Sequence, residues 1–428
     1  LTVEHTSSRS TSALLAAMTE ASAASLSAET LALRELQAQL DQPEPSSPSS
    51  ASSAPNPPPA AASSDAWLAP ALHRDLLKFS ANTRKRWDGE RPCRDEMIAL
   101  LQNVVSTLWR NAHVAVFGSC AVDLATRGSD VDLVVMNVKK ADGKKFHDHQ
   151  LECCKQLALG LANADWVTSI KTIDGSATPI VTIVCEHAIP AGDAKERLKR
   201  LMGGEEGKGG PPPKLRLSFD VSFGAPGHRG LEAVRLVKEE LEAQPLLGPI
   251  VLALKSLLEQ KKLKRVFNNG CITSYGLFIL AARFLRDWSS HANPRARADG
   301  ADCSGRALLG FLQFFGRDFN PEEQGVALRH EGNPAGGYLN RQHPTLAQFR
   351  CDSLYLRDPI DPQNNVGSNA YRVHQIQRAI GAALGALEAR GAQPPPPADR
   401  EWQVLHELIE IGADGLAAAP PSPHEASP

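Results

Sequence analysis

Asp130 and Asp132 stand one residue apart in the stretch VFGSCAVDLATRGSDVDLVVM, Val116 to Met136, at the head of an apolar run. On a strand, residues i and i+2 share a face, so the spacing predicts two carboxylates side by side. Like charges so placed repel unless a cation lies between them. Hard divalent ions, Mg²⁺ with Mn²⁺ as its substitute, take oxygen ligands of this kind and keep several waters. A third acid, Asp220, follows in KLRLSFDVSF. There Leu215, Leu217, Phe219 and Val221 alternate, which turns Asp220 to the opposite face from Phe219. If the two strands are neighbours, three carboxylates converge. Such a cluster suits two metals about 3.5–4 Å apart, clamping the attacking and leaving oxygens of a phosphoryl displacement.

Gly118-Ser119 supplies the other half of that chemistry. Glycine lets backbone N–H groups approach a phosphate closely, and the serine hydroxyl adds a donor. Ser129, just before Asp130, is a further donor. A lone Gly-Ser or a lone Asp-x-Asp usually marks a turn or a strand end. The pair in series, followed by an apolar strand, is far more specific. Asp123 and Arg127, between the two halves, read as solvated loop residues.

The elements that must position these groups follow from periodicity. Residues 94–109, RDEMIALLQNVVSTLW, carry apolar residues at helical spacing, as does HDHQLECCKQLALGLAN; TPIVTIVC reads as a buried strand. From about Gly230 to Leu387 the chain reads mostly helical. GGEEGKGGPPP, residues 203–213, reads as a flexible insertion between strands. Residues before about Asp65 are rich in Ser, Ala and Pro and read as a disordered tail, with one helix-spaced segment, SAETLALRELQAQL, capped at Ser27. After QPPPPADR a short helix is expected in EWQVLHELIEIG, ahead of a second Ala/Pro tail.

The 428 residues predict at least two domains, and a hydrophobic share of 42% is enough for a real core. The net charge of −2 is not that of a chain that grips nucleic acid by charge alone; if the substrate is RNA, its affinity must be local, transient or supplied by a partner. The eight cysteines lack zinc-knuckle spacing and read as reduced, mostly buried thiols. No apolar run reaches the ~18 residues that span a bilayer, so no membrane is expected. The chain begins at Leu1, so a targeting signal could lie upstream of it.

These blocks together resemble the polymerase β-like nucleotidyltransferase superfamily, and within it the noncanonical poly(A) polymerases of the nuclear RNA-surveillance, TRAMP-type branch. VFGSCAVDLATRGSDVDLVV is similar to the family's catalytic strand–turn–strand and SFDVSF to its third-carboxylate strand. PIVLALKSLLEQKKL…ITSYGLFILAARFL resembles the helices that hold the triphosphate. LLGFLQFFGRDFN and LYLRDPIDPQNNVGSNAYR resemble a segment typical of that branch and its nucleotide-recognition loop. The resemblance covers about Trp67 to Leu387.

It implies an α+β fold: a nucleotidyltransferase palm, a mixed sheet with helices, plus a mostly helical central domain containing the poly(A)-polymerase-associated segment. The implied plan is a tail over 1–66, N-terminal helices packing on the central domain over 67–110, and the catalytic domain over 111–229. The helical central domain follows over 230–392, with its recognition loop at 358–367, and then a tail over 393–428 with one short helix. Carried over by position, Gly118 and Ser119 contact phosphates, and Asp130, Asp132 and Asp220 bind Mg²⁺. Ser129 adds a donor, Lys255 pairs with the triphosphate, and Ser274 donates to a phosphate. Tyr275 stacks on the base, and Asp358 and Asp361 lie around its edge. Uridylyltransferases of the family often carry His where this chain has Asn364. Asn leaves room for a purine, which implies ATP as substrate, and Asn365 braces the loop.

The chain departs from the family pattern at Thr126 and Arg127, in the longer turn SFGAPGHRGLEA before Ala233, in FNNGCITSY, and in the 203–213 insertion. The implied activity is Mg²⁺-dependent, template-independent transfer of AMP from ATP to an RNA 3′ end, in a nuclear setting and with an RNA-binding partner protein. Three other readings stand beside it. They are a terminal uridylyltransferase, a catalytically weak protein that keeps the fold for binding, and a nucleotidyltransferase acting on a small molecule or protein.

Overall fold

In the computed structural model the described residues are 66–140, 142–175, 178–188, 214–224, 228–263, 270–291, 303–329, 336–397 and 399–418. The readings of the N-terminal tail, of the helix beginning near Ser27 and of the 203–213 insertion lie outside them.

Five strands form one mixed sheet in the order β1-β2-β5-β4-β3: β1 His113–Phe117, β2 Val131–Met136, β3 Val167–Ile173, β4 Ile180–Ala188 and β5 Lys214–Phe223. β2 lies parallel to β5, and the remaining pairs are antiparallel. The alternation expected for β5 is present: Leu215, Leu217, Phe219 and Val221 are all buried. They share a core with Val131, Leu133 and Val135 of β2 and with Cys153, Cys154 and Leu157 of a helix over Phe146–Leu161.

The first helix, α1, runs 41 residues from Leu68 to Leu108 and serves two cores. Leu68, Leu72, Leu76 and Phe79 pack in the helical body, whereas Trp87, Met97, Leu101 and Val105 pack on the sheet. The expected packing on the helical body is thus accompanied by packing on the sheet. Pro92, which removes one helix hydrogen bond, lies in the half that packs on the sheet. With the Phe146–Leu161 helix as α2, the helical body adds α3 Arg229–Ala243, α4 Leu247–Gln260, α5 Ser274–His291, α6 Cys303–Gln313 and α7 Val373–Gly391. Among the described residues no single helix is long and apolar enough to cross a membrane. Seven described cysteines form no disulfide, and all but Cys351 are buried.

Two features of the C-terminal half depart from the sequence reading. A second, three-stranded sheet, β6 Gln324–Ala327, β7 Gly337–Asn340 and β8 Leu356–Arg357, interrupts the helices in the order β7-β6-β8. The segment EWQVLHELIEIG forms only a short 3₁₀ turn over Leu405–Glu407. Its apolar residues Val404, Leu405, Leu408 and Ile409 are buried, but tertiary partners take its backbone groups. The carboxylate Oδ2 of Asp75 accepts from the N–H groups of Gln403, Val404 and Leu405 at 2.9, 2.7 and 2.9 Å. Gln260 bonds both the N–H and the carbonyl of Glu410 at 2.9 Å.

Asp75 is 3% exposed, so its loss leaves buried donors bare. Asp75→Ala is expected to cost about 3 kcal/mol, on the order of 1–3 for each stranded buried donor with partial relaxation. A fall in the denaturant midpoint at unchanged slope checks this; an unchanged midpoint contradicts it.

Candidate active site

The carboxylates meet through strand register. In the parallel β2–β5 pair, Asp132 lies directly opposite Asp220. Asp130 immediately precedes β2, so the pair expected on one strand face is realised with Asp130 at the strand's edge. Thr182, opposite Asp220 on β4, donates from its hydroxyl to Asp220 Oδ1 at 2.7 Å. Burial pushes the Asp220 carboxyl up from its ordinary value; the Thr182 hydrogen bond opposes this and the Asp130 charge adds to it.

Gly118 sits against this pair. It follows Phe117, which lies opposite Asp132 in β1–β2, and it adopts φ +67°. A Cβ there would come within 1.9 Å of Asp132 Oδ2, so the position admits only glycine. The sequence reading assigned this glycine to approach of a phosphate. The structure adds a closer constraint, the Asp132 carboxylate itself. Ser119 follows in the 3₁₀ turn Gly118–Val122, half-buried, and its carbonyl accepts the Leu124 N–H at 3.0 Å.

Among the described residues no three His, Cys, Asp or Glu side chains are gathered as a finished metal cluster. The donors nevertheless fit a hard divalent cation. They are oxygens only, on neighbouring strands, with the half-buried Asp220 raised by desolvation and, to a lesser degree, by the Asp130 charge. A cation would relieve that repulsion.

A second group of predicted residues meets at the head of α5. Asp358 is buried and accepts at Oδ1 from Ile360 N–H at 3.0 Å and from the Tyr275 hydroxyl at 3.4 Å. Its Oδ2 accepts from the Asn364 side-chain amide at 2.9 Å. A carboxylate only accepts, so Asn364 must turn its NH₂ inward and its carbonyl oxygen outward. Asn364 is exposed. Asn365 is buried and uses its whole amide: Oδ1 accepts from Leu356 and Gly367 N–H, both at 2.8 Å, and Nδ2 donates to Asp352 at 2.7 Å and to the Leu354 carbonyl at 2.8 Å. It braces the loop, as expected.

The two groups are joined at the start of α3. The His228 ring meets Phe117 edge-on at 5.2 Å, and Arg229 pairs with Asp361 at 2.7 Å. The residues next to Gly118 and the 358–365 loop thus flank one short segment.

Two family descriptions match the chain. That of the central palm domain of the mitochondrial-like poly(A) RNA polymerases covers residues 72–191, and that of the Cid1 family poly A polymerases covers 305–364. Trf4-2 of Drosophila melanogaster, named as an inactive noncanonical poly(A) RNA polymerase, is 26% identical over 74% of this chain and 68% of its own length. Poly(A) RNA polymerase protein 1 of Saccharomyces cerevisiae is 27% identical over 75% of this chain. Over these segments the chain resembles the noncanonical poly(A) polymerases.

Among solved structures, the polymerase core of TRAMP, described as an RNA surveillance complex, shares the fold at TM-score 0.54, with 24% identity over 71% of this chain and 82% of that one. The Cid1 poly(U) polymerase with Mg 3′-dATP does so at 0.52, with 19% identity over 74% and 94%. The chain spans 43% of the yeast relative and 48% of a second yeast poly(A) RNA polymerase.

Against the family pattern, several predicted residues take other positions. Lys255 is 1% exposed and donates from Nζ to the Leu124 carbonyl, in the segment that leads to Asp130. Asp358 is spent on Tyr275, Ile360 and Asn364, and Asp361 on Arg229, so both organise the loop instead of reaching outward. Ser129 accepts the Thr126 N–H at 2.9 Å, closing its own turn. Ser274 is the first residue of α5, where Thr273 takes the Gly276 N–H at 2.9 Å. Tyr275 is half-buried against the helical core, and burial pushes its hydroxyl pKa up. Asp123 is exposed in a left-handed turn at φ 57°, as its loop reading allows.

The departures Thr126 and Arg127 are built in. Thr126 is buried and donates to Glu259 at 2.7 Å, and Arg127 pairs with Asp414 at 3.1 Å. Sequence reasoning missed Thr182 and Asp414. Thr182 was findable, since alternation in TPIVTIVC puts it on the face away from Val181 and Ile183.

Proposed function

We propose that this chain transfers AMP from ATP to the 3′-hydroxyl of RNA without a template, as a poly(A) polymerase of the RNA-surveillance kind. The observation that carries the reading is the parallel register that sets Asp132 beside Asp220 under Gly118. Asp130, Asp132 and Asp220 would hold two divalent cations, Mg²⁺ in the first place. When bound, these supply Lewis-acid stabilisation of the pyrophosphate leaving group and lower the pKa of the attacking hydroxyl. The chain's own residues do the rest. Gly118 leaves room for the triphosphate beside Asp132, and Ser119 donates to it. Thr182 holds Asp220 in a fixed orientation. The RNA 3′-hydroxyl gives up its proton to solvent, its oxygen bonds to the α-phosphorus of ATP as the bond to the α–β bridging oxygen breaks, and pyrophosphate departs with that oxygen.

Base choice rests on Asn364. With its amide nitrogen held by Asp358, it offers an outward carbonyl oxygen. Adenine presents a donor, N6–H₂, whereas uracil presents the acceptor O4 in the equivalent place. The pairing therefore favours ATP and opposes UTP. A solved structure of the Cid1 poly(U) polymerase holds MgATP in a variant where asparagine replaces histidine, the same two residue types that the resemblance weighs at position 364.

Extension of a short RNA with each nucleotide separately tests this reading, with ATP expected to lead. Asn364→His is expected to shift the ATP-to-UTP ratio of kcat/KM toward UTP by about 10–100-fold, the worth of one good base contact at 1–3 kcal/mol. A wild-type preference for UTP, or an unmoved ratio in the variant, contradicts it. Nuclear residence and an RNA-binding partner belong to the same proposal. They are supported by the likeness to the TRAMP polymerase core and by the chain's near-neutral charge. Imaging and co-purification of the full-length protein test them.

A further inference from the structure

A cavity of about 310 Å³ lies against Asp130, where the middle of α1, the start of β5, α4 and the 125–130 loop meet. Of the site residues named above, Ser129 and Asp130 line it and Gly118, Ser119 and Asn364 do not, so it adjoins the nucleotide cradle at the 125–130 loop. Its volume is at the lower end of small-molecule sites, about 300–1,000 Å³.

Two of its donors have no protein partner. Ser256 is 0% exposed and its hydroxyl is unpaired, and Arg86 Nη1 is buried and unpaired, while Arg86 Nε is committed to Glu90 at 2.7 Å. Buried polar groups in folded proteins are nearly always satisfied. Two orphan donors on one cavity point to an acceptor that arrives with a ligand. Arg216, exposed, adds positive charge to the lining; Arg127 also lines it but pairs with Asp414 at 3.1 Å. Glu90 is already paired with Arg86, and the other lining acid is Asp130. Phe79 and Trp87 supply apolar wall.

We propose that this cavity seats the 3′-terminal nucleotide of the acceptor RNA, its phosphate on Arg86 and Ser256 and its 3′-hydroxyl at Asp130. The proposal rests on the RNA 3′-end reading above and assigns the half of the reaction that the nucleotide cradle leaves open. An in-line displacement needs the attacking hydroxyl on the opposite side of the α-phosphorus from the departing pyrophosphate. A seat that touches Asp130 but not the Gly118–Ser119 turn meets that need. Its two donors recognise a phosphate of any nucleotide, which suits an enzyme that adds to its own product.

The test is the affinity of a short fluorescent RNA ending in a 3′-deoxynucleotide, read by anisotropy against salt. Arg86→Gln keeps the length and a hydrogen-bonding head and removes the charge. It is expected to weaken RNA binding about tenfold and to make the slope of log K against log salt shallower by about 0.7, one single-strand phosphate contact. ATP affinity should stay within about twofold. Ser256→Ala, a smaller change at a second position, is expected to weaken RNA binding about threefold, the loss of one modest hydrogen bond. An RNA with an uncharged methylphosphonate before its last nucleotide should bind the wild type as weakly as normal RNA binds Arg86→Gln, with no further loss in the variant.

Wild-type RNA affinity and salt slope in a folded Arg86→Gln, or a loss confined to ATP, overturn the proposal. So does a wild type that binds no RNA. Arg86-dependent RNA binding without AMP transfer leaves the seat standing and sinks the catalytic reading instead.

Discussion

Asp220→Asn is expected to abolish extension while making the metal-free protein more heat-resistant at neutral pH. The catalytic loss should be roughly 10³-fold or more, equivalent to about 4 kcal/mol of transition-state stabilisation, because the change removes one ligand charge from the cations. The gain in stability follows from linkage. Burial raises the folded-state pKa of Asp220 above its ordinary value of 3.8, with the Asp130 charge adding to it. A group raised in this way favours the folded state fully only below its unfolded pKa, and that contribution is lost as pH rises through the folded value. At neutral pH, without metal, the ionised Asp220 is therefore a net cost that Asn removes. Thermal midpoints in chelator should show the variant above wild type at neutral pH, by about 2–4 °C per kcal/mol relieved. The gap should close as pH falls through the window between the raised pKa and 3.8. A variant that melts below wild type in chelator at neutral pH contradicts the assignment.

Gly118→Ala is the second large effect. Its φ of +67° costs an alanine about 1–3 kcal/mol, and the added Cβ overlaps Asp132 Oδ2 at 1.9 Å. That neighbour is the carboxylate the site cannot spare, and either way of relieving the overlap displaces it. Extension should fall by about 100-fold or more, with a loss of stability of about 2 kcal/mol. An extension assay run beside chemical denaturation checks both. Full activity in the alanine variant would mean that Asp132 has another working position.

What could be read from residue order divides along physical lines. Asp130, Asp132, Asp220 and the alternation of β5 obey local rules, period two along a strand, so their faces were legible before the register was known. The register itself was not, because Asp132 finds Asp220 only after α2, β3 and β4 have been threaded between them. The recognition loop was legible as a block, but not the division of labour within it. Which acid faces inward depends on Tyr275 and Arg229, far away in the chain.

Tertiary partners override local pattern elsewhere. EWQVLHELIEIG has helical periodicity, yet Asp75 and Gln260 take its backbone groups and hold it to one short turn. The small sheet β6–β8 has strands of four, four and two residues, too short for alternation to signal. Lys255 reads as a helix lysine turned to a ligand, and only the fold shows that it is buried and bonds the Leu124 carbonyl.

The central claim is adenylyl transfer to an RNA 3′-hydroxyl. Its most direct measurement is the balance of products when the protein is given a short RNA, ATP and Mg²⁺. One pyrophosphate is expected for each adenylate gained by the RNA, and neither when the RNA ends in a 3′-deoxynucleotide. Pyrophosphate release that continues on the blocked RNA, or an RNA that gains nothing from ATP, would contradict it.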